Sequence, residues 1–529
     1  MNGFLLKKSI FLASGTFFLS CNPDAVRNEP PNFLFIMSDD HGQQAISAYG
    51  SSLIQTPNID RIAKEGMLFR NSFVTNSICG PSRAVLLTGK HSHLNGFLGN
   101  DRVFDGAQQT FLKILQQHGY QTAMIGKWHL GSDPAGFDYW NILPDQGDYY
   151  NPGFIRQGKD TIYKGYVTEI ITDLTIEWLN KRDNKKPFCL MMQHKAPHRN
   201  WMPAQKNLEI FNDKEFPLPL NFYDTYSGRE ALKLQKLSVK DHMDIRYDYK
   251  VPCNGCDTVD VNFWAPGEYL RGLDRMTEEE RKTWETTYKK EETEYLKVKD
   301  DTAAFNQWKY RRYMEDYLRS IVSVDESVGE ILKYLEQNGL DKNTVVIYTS
   351  DQGFFLGEHG LFDKRYMYEE AMRTPLMIKF PGEIQGNSST DCLVQNLDLA
   401  PTFLDIAGIG IPGDMQGRSL RSIWKGRAGD WRDVLYYHYY DSGWGTTPHY
   451  GIRTERYKLI HYYGNLDTWE LFDLKRDPSE MNNVYHDLEY KEVVTGMKQK
   501  LESTMKSYGD SDELAMLFWK ERMNVKVRY

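Results

Sequence analysis

Phe33-Leu34-Phe35-Ile36-Met37-Ser38-Asp39-Asp40 and Thr344-Val345-Val346-Ile347-Tyr348-Thr349-Ser350-Asp351-Gln352-Gly353 share one grammar. Each is an apolar run of strand length that ends in side-chain oxygen donors. Open α/β sheets place ligands outside the carboxyl ends of their strands, so the two runs predict a sheet with acids along one edge. Four donors, Asp39, Asp40, Asp351 and Gln352, suit a hard divalent cation, calcium foremost. An Asp-Asp pair by itself also fits a solvated turn.

Two more runs have the same form. Gln121-Thr122-Ala123-Met124-Ile125 leads into Gly126-Lys127-Trp128-His129-Leu130-Gly131. It supplies a point charge and a titratable base. Pro187-Phe188-Cys189-Leu190-Met191-Met192-Gln193-His194 leads into Lys195-Ala196-Pro197-His198. Of its two histidines, His194 reads as a satisfied core residue. A fifth stretch, Gly360-Leu361-Phe362-Asp363-Lys364-Arg365-Tyr366 through Tyr368-Glu369-Glu370, follows soon after Asp351-Gln352. Charge-rich loops of this kind are ordinarily solvated.

Cys79-Gly80-Pro81-Ser82-Arg83-Ala84-Val85-Leu86-Leu87-Thr88-Gly89 joins these pieces. Pro81 suits a first helical turn, and Ala84 to Leu87 read as a buried helix. Cys79 then sits at a helix start, where free N–H groups favour an anion. The fork of Arg83, about one turn on, suits sulfate or phosphate. A structural cysteine at a well-capped helix is the plain alternative.

The Cys-x-Pro-Ser-Arg string resembles the maturation signature of formylglycine-dependent sulfatases, in the alkaline phosphatase superfamily. The other motifs follow in that family's order. The resemblance implies that a maturase oxidises Cys79 to formylglycine, whose hydrate has one hydroxyl to attack sulfur and a second to expel sulfate. It places Asp39, Asp40, Asp351 and Gln352 on calcium, with Gln352 where many relatives carry Asn or His. Asp351 and calcium help to ionise the hydrate. Arg83, Lys127 and Lys364 hold the sulfuryl oxygens, His198 assists departure of the alcohol, and His129 removes a proton as sulfate leaves.

The chain has 529 residues, 40% hydrophobic and 13% aromatic, enough for a large domain and a smaller one. A net charge of −8 gives no reason to expect nucleic-acid binding. Residues 1–21 have a basic start and a short apolar core ending in Phe18-Leu19-Ser20-Cys21, which reads as a lipoprotein signal with lipidation at Cys21. Plain secretion is the alternative. The expected location is therefore outside the cytoplasm, in the periplasm or anchored to the outer membrane, with only the lipid touching a membrane. No later run is long and apolar enough to span one. Of the six cysteines, Cys189 reads as inert and Cys392 has no assigned partner. Cys253 and Cys256 read as a local disulfide or two free thiols.

Residues 22–31 read as a tether and 32–427 as an α/β catalytic domain, its mostly parallel or mixed sheet sandwiched by helices. Thr56 reads as an N-cap for the helix that follows it. Residues 215–305 read as a charged insertion leading into a long helix around Tyr313–Leu335. Within it, Asp224-Thr225-Tyr226-Ser227-Gly228-Arg229 reads as a surface loop, with a place at the substrate cleft as the alternative. Residues 428–529 read as a smaller α+β domain of antiparallel strands with a helix over 491–508.

Leu143–Tyr150, Tyr226–Arg229 and Phe362–Glu370 resemble sulfatases that remove 6-sulfate from N-acetylglucosamine in glycosaminoglycans or mucin-type glycans. His359, Asp363, Trp444, His449 and Arg453 are candidate sugar contacts, each equally compatible with a structural role. Three alternatives remain. One is a sulfatase for iduronate, galactose or galactosamine, and another is a phosphonate or phosphodiester hydrolase of the same superfamily. The third is a lipoprotein that only binds sulfated glycans.

Overall fold

Side chains alternate across a strand, and the strand Asn32–Ser38 uses both faces. Leu34 and Ile36 enter one hydrophobic cluster, with Ile171, Leu174, Val328 and Ile331. Phe33, Phe35 and Met37 enter another, with Leu86, Leu112 and Phe403. A strand buried on both faces belongs in the middle of a sandwich. In the computed structural model it is the fifth of ten strands, ordered Ser388–Thr390, Met67–Phe69, Leu376–Lys379, Thr344–Ser350, Asn32–Ser38, Phe188–Gln193, Gln121–Lys127, Tyr139–Leu143, Gly153–Arg156 and Lys159–Ile162. The five from Thr344–Ser350 to Tyr139–Leu143 run parallel, and antiparallel pairs follow on both sides. The sheet is thus mixed with a parallel centre, as expected.

The structure describes Met1 and residues 29–252 and 265–524. The signal segment with Cys21, most of the tether, and Cys253 and Cys256 lie outside the described residues. No helix among the described residues is long and apolar enough to cross a membrane.

The long helix spans Thr302–Gln337, with Asp301 as its N-cap accepting from the Ala303 and Ala304 N–H groups. Thr56 does not cap the helix Pro57–Lys64. Its hydroxyl instead bonds to Ser47 and Asp60. The orphan N–H groups of Asn58 and Ile59 go to Asp325 of the long helix, at 3.0 and 2.8 Å. A tertiary carboxylate has replaced the local cap.

The charge-rich stretch is less detached than its composition implies. Glu278–Val298 is a helix with a Thr277–Glu280 capping box, and it buries Trp284, Tyr288 and Tyr295. Phe216, Phe222, Leu237, Met243 and Tyr249 enter a core shared with Tyr313 and Phe355.

The expected boundary at 427 falls between the helix Arg421–Trp424 and the strand Val434–Tyr439. Four antiparallel strands, Val434–Tyr439, His449–Thr454, Tyr457–Tyr462 and Thr468–Asp473, pair in sequence order. One face of this sheet carries the helix Lys491–Tyr508, through Met497, Leu501 and Met505. The other face puts Leu435, Tyr437, Tyr439 and Phe472 into the same core as Tyr366 and Tyr368. Both sheets belong to one compact unit from Pro31 onward.

Candidate active site

Register brings the motifs together. Ser38 is level with Ser350, Met37 with Gln193, and Gln193 with Gly126. Asp39-Asp40, Asp351-Gln352, Lys127 and the Lys195–His198 turn therefore leave the parallel centre at one edge. Backbone bonds join these exits, from Asp351 N–H to the Ser38 carbonyl at 3.2 Å and from His194 N–H to the Met37 carbonyl at 2.8 Å.

Asp39, Asp40 and Asp351 are buried, and one carboxylate oxygen of each lies within 4.8 Å of the others. Every carboxylate has its own cation. Lys127 pairs with Asp39, Lys364 lies 2.5 Å from Asp40, and Arg83 grips Asp351 through Nε at 3.0 Å and Nη2 at 2.8 Å. Burial works to raise the Asp39 carboxyl, but Lys127, His198, Arg83 and Lys364 outweigh it and hold the group well below the usual range. Burial pushes Asp40 up to about 7, with Asp39 and Asp351 adding to the rise against Lys364. It pushes Asp351 up to about 6, helped by Asp39. Gln352 donates through Nε2 to Asp40, and its Oε1 is buried with no hydrogen-bond partner. Three crowded carboxylates beside an orphaned amide oxygen fit a hard divalent cation.

Cys79 is the first residue of the helix Cys79–Thr88, with Pro81 in its first turn, as expected. Pro81 falls among the first four N–H positions, so its missing donor leaves no helix bond unmade. The Cys79 Sγ lies 3.4 Å from Asp39 Oδ1 and 3.8 Å from Gln352 Nε2. Burial, with Asp39, pushes its thiol well up. Gly80 is required here, because a Cβ would stand 2.6 Å from Phe97 and 2.9 Å from Asn100. The Gly80 N–H bonds Asn100 Oδ1 at 3.0 Å.

A cleft of about 340 Å³ opens over Cys79, lined also by Asp40, His129, His198 and Lys364. Burial and Lys127 bring the His129 imidazole down to about 4. Burial, with Lys127, takes His198 well below its ordinary value. Nδ1 of His198 meets the Arg199 carbonyl at 2.6 Å. A carbonyl only accepts, so Nδ1 carries the proton and Nε2, 3.9 Å from Asp40 Oδ2, presents a lone pair. Asp40, His129, Asp145, Asp363, Arg365 and Trp444 line the cleft with positive φ. Strained backbone of this kind gathers where function overrides local preference.

The remaining expected residues divide. Asp363 and Trp444 line the cleft. Arg83 does not: its fork is filled by Asp351, the Lys127 carbonyl and Gln193, so it orients Asp351 and offers no edge to a sulfate. Lys127 is likewise buried behind the cleft wall, between Asp39 and Gln146.

His359, His449 and Arg453 are corrected as sugar contacts, because none lines the cleft. His359 is buried against Asp224 at 2.7 Å, and Asp224 also pairs with Arg229 at 2.6 Å. The Asp224–Arg229 stretch is therefore the surface loop expected, with Thr225, Ser227 and Gly228 exposed, pinned at its ends by the buried Asp224–Arg229 pair and away from the cleft. His449 lies stacked among Tyr366, Tyr437 and Tyr439, with Nδ1 on the Thr447 carbonyl. Arg453 pairs with Glu369. His194 has the plain role expected, buried with Nε2 3.3 Å from the Ser327 hydroxyl.

Sequence reasoning passed over Arg199, Glu268 and Asp441, which line the cleft. Only Arg199, directly after His198, stood beside a motif that could have revealed it.

A buried side chain open to attack, an oxygen cage and paired cations at the end of a parallel sheet define a hydrolase of tetrahedral oxyanion esters. The chain belongs to the sulfatase family and is a sulfuric ester hydrolase. Its residues 31–409 match the Sulfatase family model. Residues 357–507 match the model described as N-sulphoglucosamine sulphohydrolase, C-terminal. It is 48% identical, over 93% of this chain and 89% of the relative, to an N-acetylglucosamine-6-O-sulfatase of Bacteroides thetaiotaomicron. It is 27% identical, over 79% and 68%, to an N-acetylglucosamine-6-sulfatase of Capra hircus. A solved structure at 48% identity superposes with a TM-score of 0.87, covering 92% of this chain and 99% of the other. That protein is in complex with its substrate D-glucosamine-2-N,6-O-disulfate. The phosphonate monoester hydrolase of Agrobacterium radiobacter, 20% identical at a TM-score of 0.66 over 90% and 96%, shares the fold.

Proposed function

We propose that the chain removes the 6-O-sulfate of N-acetylglucosamine or N-sulfated glucosamine in glycans, with Cys79 matured to formylglycine. The observation that carries the chemistry is Cys79 Sγ at the cleft floor, 3.4 Å from Asp39 and within an oxygen cage with paired cations. The sugar assignment is supported by the 48% identical relative and by the substrate held in the related structure.

Asp39, Asp40, Asp351 and Gln352 would hold calcium. Bound there, calcium supplies positive charge beside residue 79, and formylglycine supplies the two hydroxyls of a hydrated aldehyde. Lys364 stands at the cleft surface and brings a cation to the sulfuryl oxygens. Lys127 adds charge from behind Asp39, and Arg83 keeps Asp351 in place. His198, held through Nδ1, faces the leaving oxygen with Nε2 and assists its departure as the imidazolium, which the negative charge of the incoming sulfate favours. His129, kept neutral, accepts a proton as sulfate leaves. The basic start, short apolar run and Cys21 support an exported lipoprotein, in the periplasm or on the outer membrane, that meets sulfated glycans outside the cytoplasm.

The test is a desulfation panel on protein co-expressed with a maturase. It includes N-acetylglucosamine-6-sulfate, sulfated galactose and galactosamine isomers, para-nitrophenyl sulfate and a phenylphosphonate. Preferential release from N-acetylglucosamine-6-sulfate is expected. Preferential release from another sulfated sugar would discard the substrate, and turnover of the phosphonate alone would discard the reaction.

A further inference from the structure

Arg199 follows His198, lines the cleft and is 5% exposed. Its guanidinium is fixed by a forked ion pair, from Nε to Asp248 Oδ1 at 2.8 Å and from Nη2 to Asp248 Oδ2 at 2.6 Å. Asp248 in turn accepts the Asp244 backbone N–H at 2.8 Å. The guanidinium carbon lies 4.8 Å from the centre of the Phe362 ring and 5.5 Å from that of Trp444, both on the cleft wall. One donor atom remains. Nη1 is buried and has no hydrogen-bond partner.

A buried donor without an acceptor is costly, and native proteins rarely keep one unless a ligand or water completes it. The neighbourhood narrows the ligand. Asp248 already balances the charge of Arg199, so Nη1 suits a neutral oxygen better than a second sulfate. Phe362 and Trp444 keep the guanidinium from swinging away. A sugar offers neutral acceptors in its hydroxyl, ring and acyl oxygens. We infer that Arg199 is a specificity-determining residue. Its Nη1 donates to a neutral oxygen of the sugar that carries the scissile sulfate, and Asp248 sets its direction. The charge-rich stretch thereby acts on substrate choice through Asp248. This inference rests on the carbohydrate reading above.

The test uses the matured enzyme and three variants, Arg199→Ala, Arg199→Lys and Asp248→Asn. Two substrates are compared, the sugar sulfate that the wild type cleaves fastest and para-nitrophenyl sulfate, which has no sugar oxygens. The ratio of kcat/KM for sugar over aryl sulfate should fall about ten- to a hundredfold in both Arg199 variants, mainly through KM. Asp248→Asn should move it the same way by less. Lysine keeps the charge, so Arg199→Lys and Asp248→Asn carry the test if Arg199→Ala does not fold. A ratio within about twofold of wild type, with both substrates declining together, would mean that the ion pair serves only the fold, and would overturn the inference. The wild type decides the underlying reading separately: turnover of the aryl sulfate and of no sugar sulfate would sink the carbohydrate assignment itself.

Discussion

His129 is a neutral base fixed at the cleft by a backbone with positive φ. His129→Ala should lower kcat by about a hundredfold or more at saturating substrate, and an unchanged kcat would remove His129 from the reaction. Arg83 serves Asp351, so Arg83→Lys, which cannot reproduce the fork, should raise the divalent metal needed for half-maximal activity by about tenfold to a hundredfold. A metal titration of activity with the same midpoint as wild type would contradict that role. At this scale the sequence was legible wherever chemistry sits at a strand end. Asp39, Asp351, Lys127 and His198 each follow an apolar run, and register did the rest. His359, His449 and Arg453 were not legible, because what removes them from the cleft is a distant partner. Asp224, a tyrosine stack and Glu369 cannot be read from the residues beside them. Arg83 was misread for the same reason: its acceptor lies 268 residues away.

Elements were legible when their determinants are local. The helix Lys491–Tyr508 and the antiparallel strands before it stand where the reading of residues 428–529 has them. The helix Pro57–Lys64 shows the limit. Its capping pattern pointed to Thr56, yet Asp325 holds the Asn58 and Ile59 N–H groups. Asp325→Ala should therefore destabilise the protein by about 1–2 kcal/mol, as loss of a side-chain cap does, whereas Thr56→Val should cost less. Thermal or urea unfolding of the two variants checks the order. The charge-rich stretch was misjudged in part because its apolar residues are dispersed. Phe216, Phe222 and Met243 reach the core from irregular backbone, where no period announces burial.

Across the whole molecule, the two sheets are tied together by shared packing and by buried polar links. Asp510, just beyond the helix Lys491–Tyr508, meets His438 at 2.8 Å and Tyr436 at 2.8 Å on the second sheet. It also meets His93 of the catalytic part at 3.4 Å. Burial works to raise its carboxyl, but His438, His93 and Tyr436 hold it well below the usual range. A depressed carboxyl contributes stability in full above its unfolded value, near 4, and loses it as pH falls below that. Asp510→Asn should thus lower the melting temperature at pH 7 and flatten its decline between about pH 5 and 3. An acid limb as steep as that of the wild type would contradict this. The central claim concerns residue 79, and it is tested most directly by sulfate release from N-acetylglucosamine-6-sulfate. Matured wild type and Cys79→Ala would be measured side by side. Release by the wild type and none by the variant is predicted, and equal release by both would contradict the account.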